Sequence, residues 1–178
     1  MAYRRVAFAP GEWYHCFTRT VDKKDAFRNR VDFNRFLELL YLSNDTHSQQ
    51  RGAFQGRSHV EILQRKRHAP IVALAAYCLM PNHFHLLLQE VSEGGITSFM
   101  RKVGTGYAMY FNLKNKRIGN IFVKPFRSKH VADDAYFKRA VSYIHLNPVE
   151  LFESGWKSGI VRDKSAVKER LLQYSYSL

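Results

Sequence analysis

Two pairs of side chains in this sequence have the types and spacing to do chemistry. The first is His83 and His85, two residues apart in the apolar run from Ile71 to Gln89, Ile-Val-Ala-Leu-Ala-Ala-Tyr-Cys-Leu-Met-Pro-Asn-His-Phe-His-Leu-Leu-Leu-Gln. In a β-strand alternate side chains share a face, so both imidazoles would project side by side from one face of a sheet. Two neutral imidazoles so placed can share one metal ion. The second pair is Tyr143 and Asn147, in Ser-Tyr-Ile-His-Leu-Asn-Pro-Val over residues 142–149. In a helix the phenol and the amide would lie one turn apart on the same face. Together the pairs suggest metal-assisted attack by a tyrosine on a phosphate. Such a nucleophile stores the phosphodiester energy in a phosphotyrosine link, so a cut strand can be rejoined without ATP.

Each pair taken alone has a plainer structural explanation. A His-x-His pair can be two partly buried imidazoles at a strand end, and Tyr143 is one of ten tyrosines, most of which pack cores or surfaces. The case for Tyr143 rests on Asn147 and on the upstream cations Lys124, Arg127 and Lys129, which with Arg117 are candidates to hold a nucleic-acid backbone beside the nucleophile. His145 falls on a different helix face from Tyr143. Neither cysteine has ligand-like spacing, which disfavours structural zinc. Two imidazoles completed by an amide or carboxylate oxygen suit Mg²⁺ or Mn²⁺ bound together with a phosphate oxygen.

Charge points the same way. Against 15 Asp+Glu stand 28 Lys+Arg, a net charge of +13 and a pI near 9.9. Such an excess attracts polyanions through counterion release, which makes nucleic acid the leading partner. No long basic amphipathic helix suggests a membrane surface, and no run reaches the roughly 18 apolar residues that span a bilayer. The opening Met-Ala-Tyr-Arg-Arg-Val-Ala-Phe-Ala-Pro-Gly lacks the apolar core of a signal peptide. Cys16 and Cys78 read as buried thiols with nothing that requires a disulfide, so an intracellular, soluble protein is expected.

The elements that must position these residues are legible from periodicity. Trp13–Thr20 reads as a first strand, and Asp32–Leu42 as a helix with a broad apolar face. Residues 44–69 turn polar and basic, suggesting a loop with a short helix near Val60–Arg65. Two strands follow, about 71–79 and 83–89, joined through a tight turn at Pro81-Asn82. Gly94-Gly95 opens a helix carrying Ile96, Phe99, Met100, Val103, Tyr107, Tyr110 and Phe111, and the stretch 121–131 reads as extended chain. Asp133-Asp134 starts a last major helix that runs to about Asn147 and is stopped by Pro148. A short amphipathic helix is expected around Val167–Leu172. This order predicts an α+β fold, helices on a central antiparallel sheet, with one domain over 1–150 and a tail over 151–178 packed on it.

The combination Met80-Pro81-Asn82-His83-Phe84-His85-Leu86-Leu87 with Tyr143-Ile144-His145-Leu146-Asn147-Pro148-Val149 closely resembles the single-tyrosine HUH transposases, and within them the REP-associated tyrosine transposases of bacteria. Tyr14-His15-Cys16-Phe17-Thr18-Arg19, Tyr110-Phe111-Asn112, Gly119-Asn120-Ile121-Phe122 and Phe126-Arg127-Ser128-Lys129 extend the match over about residues 10–150. The 44–69 insertion, Pro125 and the C-terminal tail depart from that pattern. The resemblance implies an HUH endonuclease fold of ferredoxin- or RRM-like architecture, with His83, His85 and Asn147 as metal ligands and Tyr143 as nucleophile. It implies cleavage and transfer of single-stranded, hairpin-forming DNA through a 5′-phosphotyrosine with Mg²⁺ or Mn²⁺. A cytoplasmic, nucleoid-associated protein working alone or as a homodimer would follow. The rival reading is a hairpin-binding regulatory protein that keeps the fold without turnover; a metal-dependent phosphoesterase that needs no tyrosine is a third.

Overall fold

The computed structural model describes residues 7–47 and 51–177. Residues 1–6, within the opening read as lacking a signal peptide, 48–50, within the polar insertion, and 178 lie outside them. Strand β1 (Trp13–Arg19) is followed by helix α1 (Arg30–Ser43). Within the insertion lie a 3-10 turn (Arg51–Phe54) and the short helix α2 (His59–Leu63). Strands β2 (Val72–Met80) and β3 (His83–Glu90) then form a hairpin closed by Pro81-Asn82. Helix α3 (Gly95–Asn115), strand β4 (Arg127–Val131) and helix α4 (Asp134–Leu146) complete the main body, and the tail carries helix α5 (Lys164–Ser177). The four strands run in the order β2-β3-β1-β4, every neighbouring pair antiparallel. This is a split β-α-β arrangement with β3 inserted between β1 and β2, the ferredoxin-like layout that the resemblance implied.

The sheet has two covered faces. Tyr14, Cys16, Leu79, Phe84, Leu86 and Leu88 point to the side of α1 and α3, where Phe36, Leu39, Phe99, Val103 and Tyr107 build the main core. Ala76, Cys78, Leu87 and Val131 point to the other side and pack against Ala140 and Ile144 of α4. Cys16 and Cys78 are both buried thiols, and they belong to opposite faces.

Local chemistry fixes the helix starts. Asn29 and Asp133 cap α1 and α4 by accepting from the backbone N–H groups of Asp32 and Tyr136, and Ser58 with Glu61 forms a capping box on α2. Helix α3 has no such cap. Instead the buried Glu90 carboxylate, at the end of β3, accepts from the N–H of Ile96 at 2.6 Å, placing negative charge on the helix N-terminus. Asn44 ties the insertion to the sheet, its amide oxygen accepting from the N–H of Ile71 and Val72 while its nitrogen donates to the Val72 carbonyl. Between α1 and α3, Asp32 accepts from Lys114 at 2.6 Å and from Tyr110 at 2.7 Å. Burial alone would raise the Asp32 carboxyl, but these bonds and one from the Arg28 N–H hold it below the usual carboxylate range.

Two expectations need correction. The extended stretch 121–131 is strand only from Arg127 onward, because Ile121 and Phe122 turn into the main core and Phe122 makes only an isolated bridge to Thr20. The tail helix is longer than expected, running over Lys164–Ser177, and Tyr174 donates from its hydroxyl to the Leu79 carbonyl at 2.6 Å. Periodicity is weak there, so the sequence pattern shows only the middle of the helix.

A Cβ on Gly95 would collide with the Ile71 carbonyl oxygen, whereas one on Gly104, in the same helix, meets nothing within 4 Å. Gly95→Ala is therefore expected to destabilise by about 3 kcal/mol or more, while Gly104→Ala should stabilise by roughly 0.5–1 kcal/mol. Urea melts of the two variants beside the parent would check both signs.

Candidate active site

Strand alternation sends His83 and His85 to the α4 face, as their spacing predicts, with ring centres 5.2 Å apart. His83 is half-buried and His85 is buried. The antiparallel register pairs Phe17 with His85 and His15 with Lys129, so β1 and β4 present Phe17, His15, Arg127 and Lys129 on this same face. His15 is the residue that sequence reading missed. Its Nε2 lies 2.8 Å from His85 Nδ1, so one ring donates and the other accepts. The signal was present in the alternation of Tyr14-His15-Cys16-Phe17, but only the β1–β3 register reveals which neighbour His15 meets.

Helix α4 brings Tyr143 over these rings, its ring centre 5.6 Å from that of His85 and 5.9 Å from that of His15. A cleft of about 310 Å³ opens there, lined by His15, His85, Lys129, Arg139 and Tyr143 among others. Arg139, one turn before Tyr143, is a second cation that sequence reading did not select. His145 points to solvent, as its helix position predicts. Of the four cations singled out, Lys129 lines this cleft and Arg127 shares its sheet face, both exposed. Lys124 is exposed in the connection before β4. Arg117 is elsewhere: it lines a separate polar cleft with Arg28 and Asn115, both guanidinium groups lying over the Phe111 ring.

The protonation states favour ligation. Burial pushes the His85 pKa down to about 3, with the neighbouring His15, His83 and Lys157 adding to it. His15 is lowered to about 4, by burial and then by Lys129. His83 is lowered by burial, against the opposing pull of the Glu150 carboxylate and the Asn147 amide. All three imidazoles are thus neutral at pH 7. His83 Nδ1 donates to the Asn82 side-chain oxygen at 2.8 Å, which leaves Nε2 with its lone pair facing away from that bond. A ring whose second nitrogen is committed in this way is typical of a metal-ligating histidine.

Among the described residues no three His, Cys, Asp or Glu side chains converge on one point, so a third protein donor would have to be of another type. Asn147 supplies one. It begins a 3-10 turn at the end of α4 and is fully buried; its amide lies near enough to act on the His83 ring, yet neither its oxygen nor its nitrogen makes a well-formed hydrogen bond. An unpartnered buried amide costs about 1–3 kcal/mol, and coordination by its oxygen would remove part of that cost. His83, His85 and Asn147 therefore fit a divalent ion that takes nitrogen and oxygen donors.

The histidines also link stability to acid. A His15 held at about 4 when folded and about 6.5 when unfolded contributes stability that is complete above pH 6.5 and lost as pH falls toward 4. His15→Gln is expected to make stability less steep over that window, by close to one proton. Urea melts at pH 7 and pH 4.5 with a chelator present would measure it, and an unchanged slope would refute the assignment.

No family model matches the sequence, and none of the curated proteins does. Among solved structures, the chain is similar to a REP-associated tyrosine transposase bound to a REP hairpin, at 14% identity and a TM-score of 0.56. The match covers 85% of this chain and 75% of the other. Identity that low is informative about backbone rather than chemistry. The α+β fold described above, an antiparallel sheet with flanking helices, is the fold of that tyrosine transposase.

Proposed function

We propose that this chain is a metal-assisted nickase and strand transferase for single-stranded, hairpin-forming DNA, with Tyr143 as its nucleophile. One observation carries the reading: a tyrosine on α4 stands over a buried histidine pair while a buried amide one turn later, without a well-formed hydrogen bond, reaches the same site. A core aromatic would not require such surroundings. The hairpin in the similar structure supports a folded DNA substrate.

His83, His85 and Asn147 would hold the ion, Mg²⁺ or Mn²⁺. When bound, it supplies positive charge that polarises the scissile phosphate and offsets charge in the transition state. Lys129 and Arg139, lining the cleft, would hold the flanking phosphates so that the scissile group meets the Tyr143 oxygen. Attack joins the Tyr143 oxygen to phosphorus, frees a 3′-hydroxyl and leaves a 5′-phosphotyrosine. Attack on that link by a 3′-hydroxyl rejoins or transfers the strand. His15 would fix the His85 ring, because a donated Nδ1–H from His85 to His15 Nε2 leaves His85 Nε2 free for the ion.

Tyr143→Phe removes one oxygen and little packing. It should fold and bind hairpins like the parent, while cleavage and the covalent protein–DNA adduct both disappear on denaturing gels. Persistent cleavage without an adduct would favour activated water, and hairpin binding by a parent protein that never cleaves would favour the regulatory reading. The electrostatic part is tested separately. Replacing Lys129 and Arg139 by Gln should weaken hairpin binding and lower the slope of log K against log salt by about 1–2, read from fluorescence anisotropy at several salt concentrations.

A further inference from the structure

The tail beyond Asn147 does not leave the site. The 3-10 turn Asn147–Leu151 continues into hydrogen bonds from the Phe152 and Glu153 N–H groups to the Val149 carbonyl, and the Trp156 N–H donates to the Glu153 carbonyl. This chain of turns delivers Trp156 and Lys157 back onto Tyr143. The Trp156 ring lies 6.0 Å from the Tyr143 ring at an interplanar angle of 31°. The Lys157 ammonium is 5.6 Å from the Tyr143 ring centre, and it is tied to the Glu150 carboxylate at 2.5 Å. Burial works against its charge, but Glu150 and the phenol oxygen of Tyr143 act on Lys157 and keep it protonated.

We propose that Lys157 is a positioning residue for the Tyr143 nucleophile, holding the phenol oxygen toward the cleft and offsetting the negative charge it gains as it attacks phosphorus. The proposal rests on the strand-transfer reading above. In the step concerned, the bond from the Tyr143 oxygen to phosphorus forms and the bond from phosphorus to the 3′ oxygen breaks. The phenol loses its proton and the departing 3′ oxygen takes one up, so no proton or electron is gained or lost overall. What distinguishes Lys157 from Lys129 is its anchorage. Lys129 is on the sheet, whereas Lys157 is fixed through Glu150 and successive turns to the end of the helix that carries Tyr143. A cation so attached travels with the nucleophile if the helix shifts on the sheet. Its length and charge also suit this role, since an ammonium on a flexible stem is a compact point charge.

The test uses the full chain with Lys157→Met and Lys157→Arg, and two readouts. Tyrosine labelled with ¹³C at Cζ gives a resonance for Tyr143, assigned by its loss in Tyr143→Phe, that reports the environment of the phenol oxygen without any turnover. Lys157→Met should displace it, and Lys157→Arg should return it most of the way. Single-turnover adduct formation on a labelled hairpin with Mn²⁺ should fall at least tenfold in Lys157→Met, recover largely in Lys157→Arg, and leave the hairpin Kd within twofold. A Tyr143 resonance that does not move in Lys157→Met overturns the proposal whatever the activity. So does adduct formation at the parental rate, or a loss matched by an equal loss of hairpin affinity. If the resonance moves as expected but the parent forms no adduct with any hairpin, the strand-transfer reading fails and the proposed catalytic role of Lys157 fails with it, leaving only a structural contact.

Discussion

The register of β3 between its neighbours governs the rest of the molecule. This strand is buried on both sides, and its side chains alternate between two different environments: Phe84, Leu86 and Leu88 enter the main core, while His83, His85 and Leu87 face α4. A slip of one residue would put imidazoles into the apolar layer and phenylalanine into the cleft. Both neighbours hold the strand against such a slip, β2 through a two-residue hairpin and β1 through seven paired positions from Trp13–Gln89 to Arg19–His83. The hydrophobic cost of a slip is large, since Phe84, Leu86 and Leu88 are essentially removed from water and each contributes roughly 1.5–3 kcal/mol by burial.

Polar groups on the α4 face are kept in a state that pure packing would not maintain. His15 and His85 are buried, which keeps them neutral, and the hydrogen bond they share lowers the cost of burying two imidazoles. Asn147 is buried without a well-formed hydrogen bond, and it sits where the helix ends and Pro148 closes the turn. Its backbone N–H donates to the Ile144 carbonyl, so the amide is held at the helix end by the backbone. Such concentrations of unmet polar capacity belong to functional sites more often than to structural ones. The main core on the opposite face, built around Phe36, Phe99 and Tyr107, supplies the rigidity that tolerates it.

The insertion and the tail, where the sequence departs most from the family it resembles, are attached in different ways. Residues 51–63 are held to α1 by an ion pair from Arg51 and a polar contact from His59, both to Glu38, and by a small apolar cluster of Leu42, Phe54 and Ile62. They sit on the main-core side of the molecule. The tail instead wraps the α4 side, through Trp156 and Lys157 at Tyr143 and through Tyr174 at the end of β2. Among the described residues no helix is long and apolar enough to cross a membrane.

By itself the sequence determined what is local or periodic. Alternation placed His83 and His85 on one face, the four-residue spacing placed Tyr143 and Asn147 on one helix side, and Pro148 and Asp133 set the limits of that helix. These follow from bonds between near neighbours, which any short stretch of chain already contains. Tertiary structure decided the rest, because it depended on pairings between residues far apart in the chain. Seventy residues separate His15 from His85, so their hydrogen bond exists only through the β1–β3 register. Arg117 and Lys129 look equivalent as cations in a basic stretch, yet one follows the cap of α3 and the other lies in β4, which puts them in different clefts. Lys157 lay in a segment without clear periodicity. Its place beside Tyr143 comes from a succession of turns and a salt bridge with Glu150, contacts whose partners no pattern of hydrophobicity encodes.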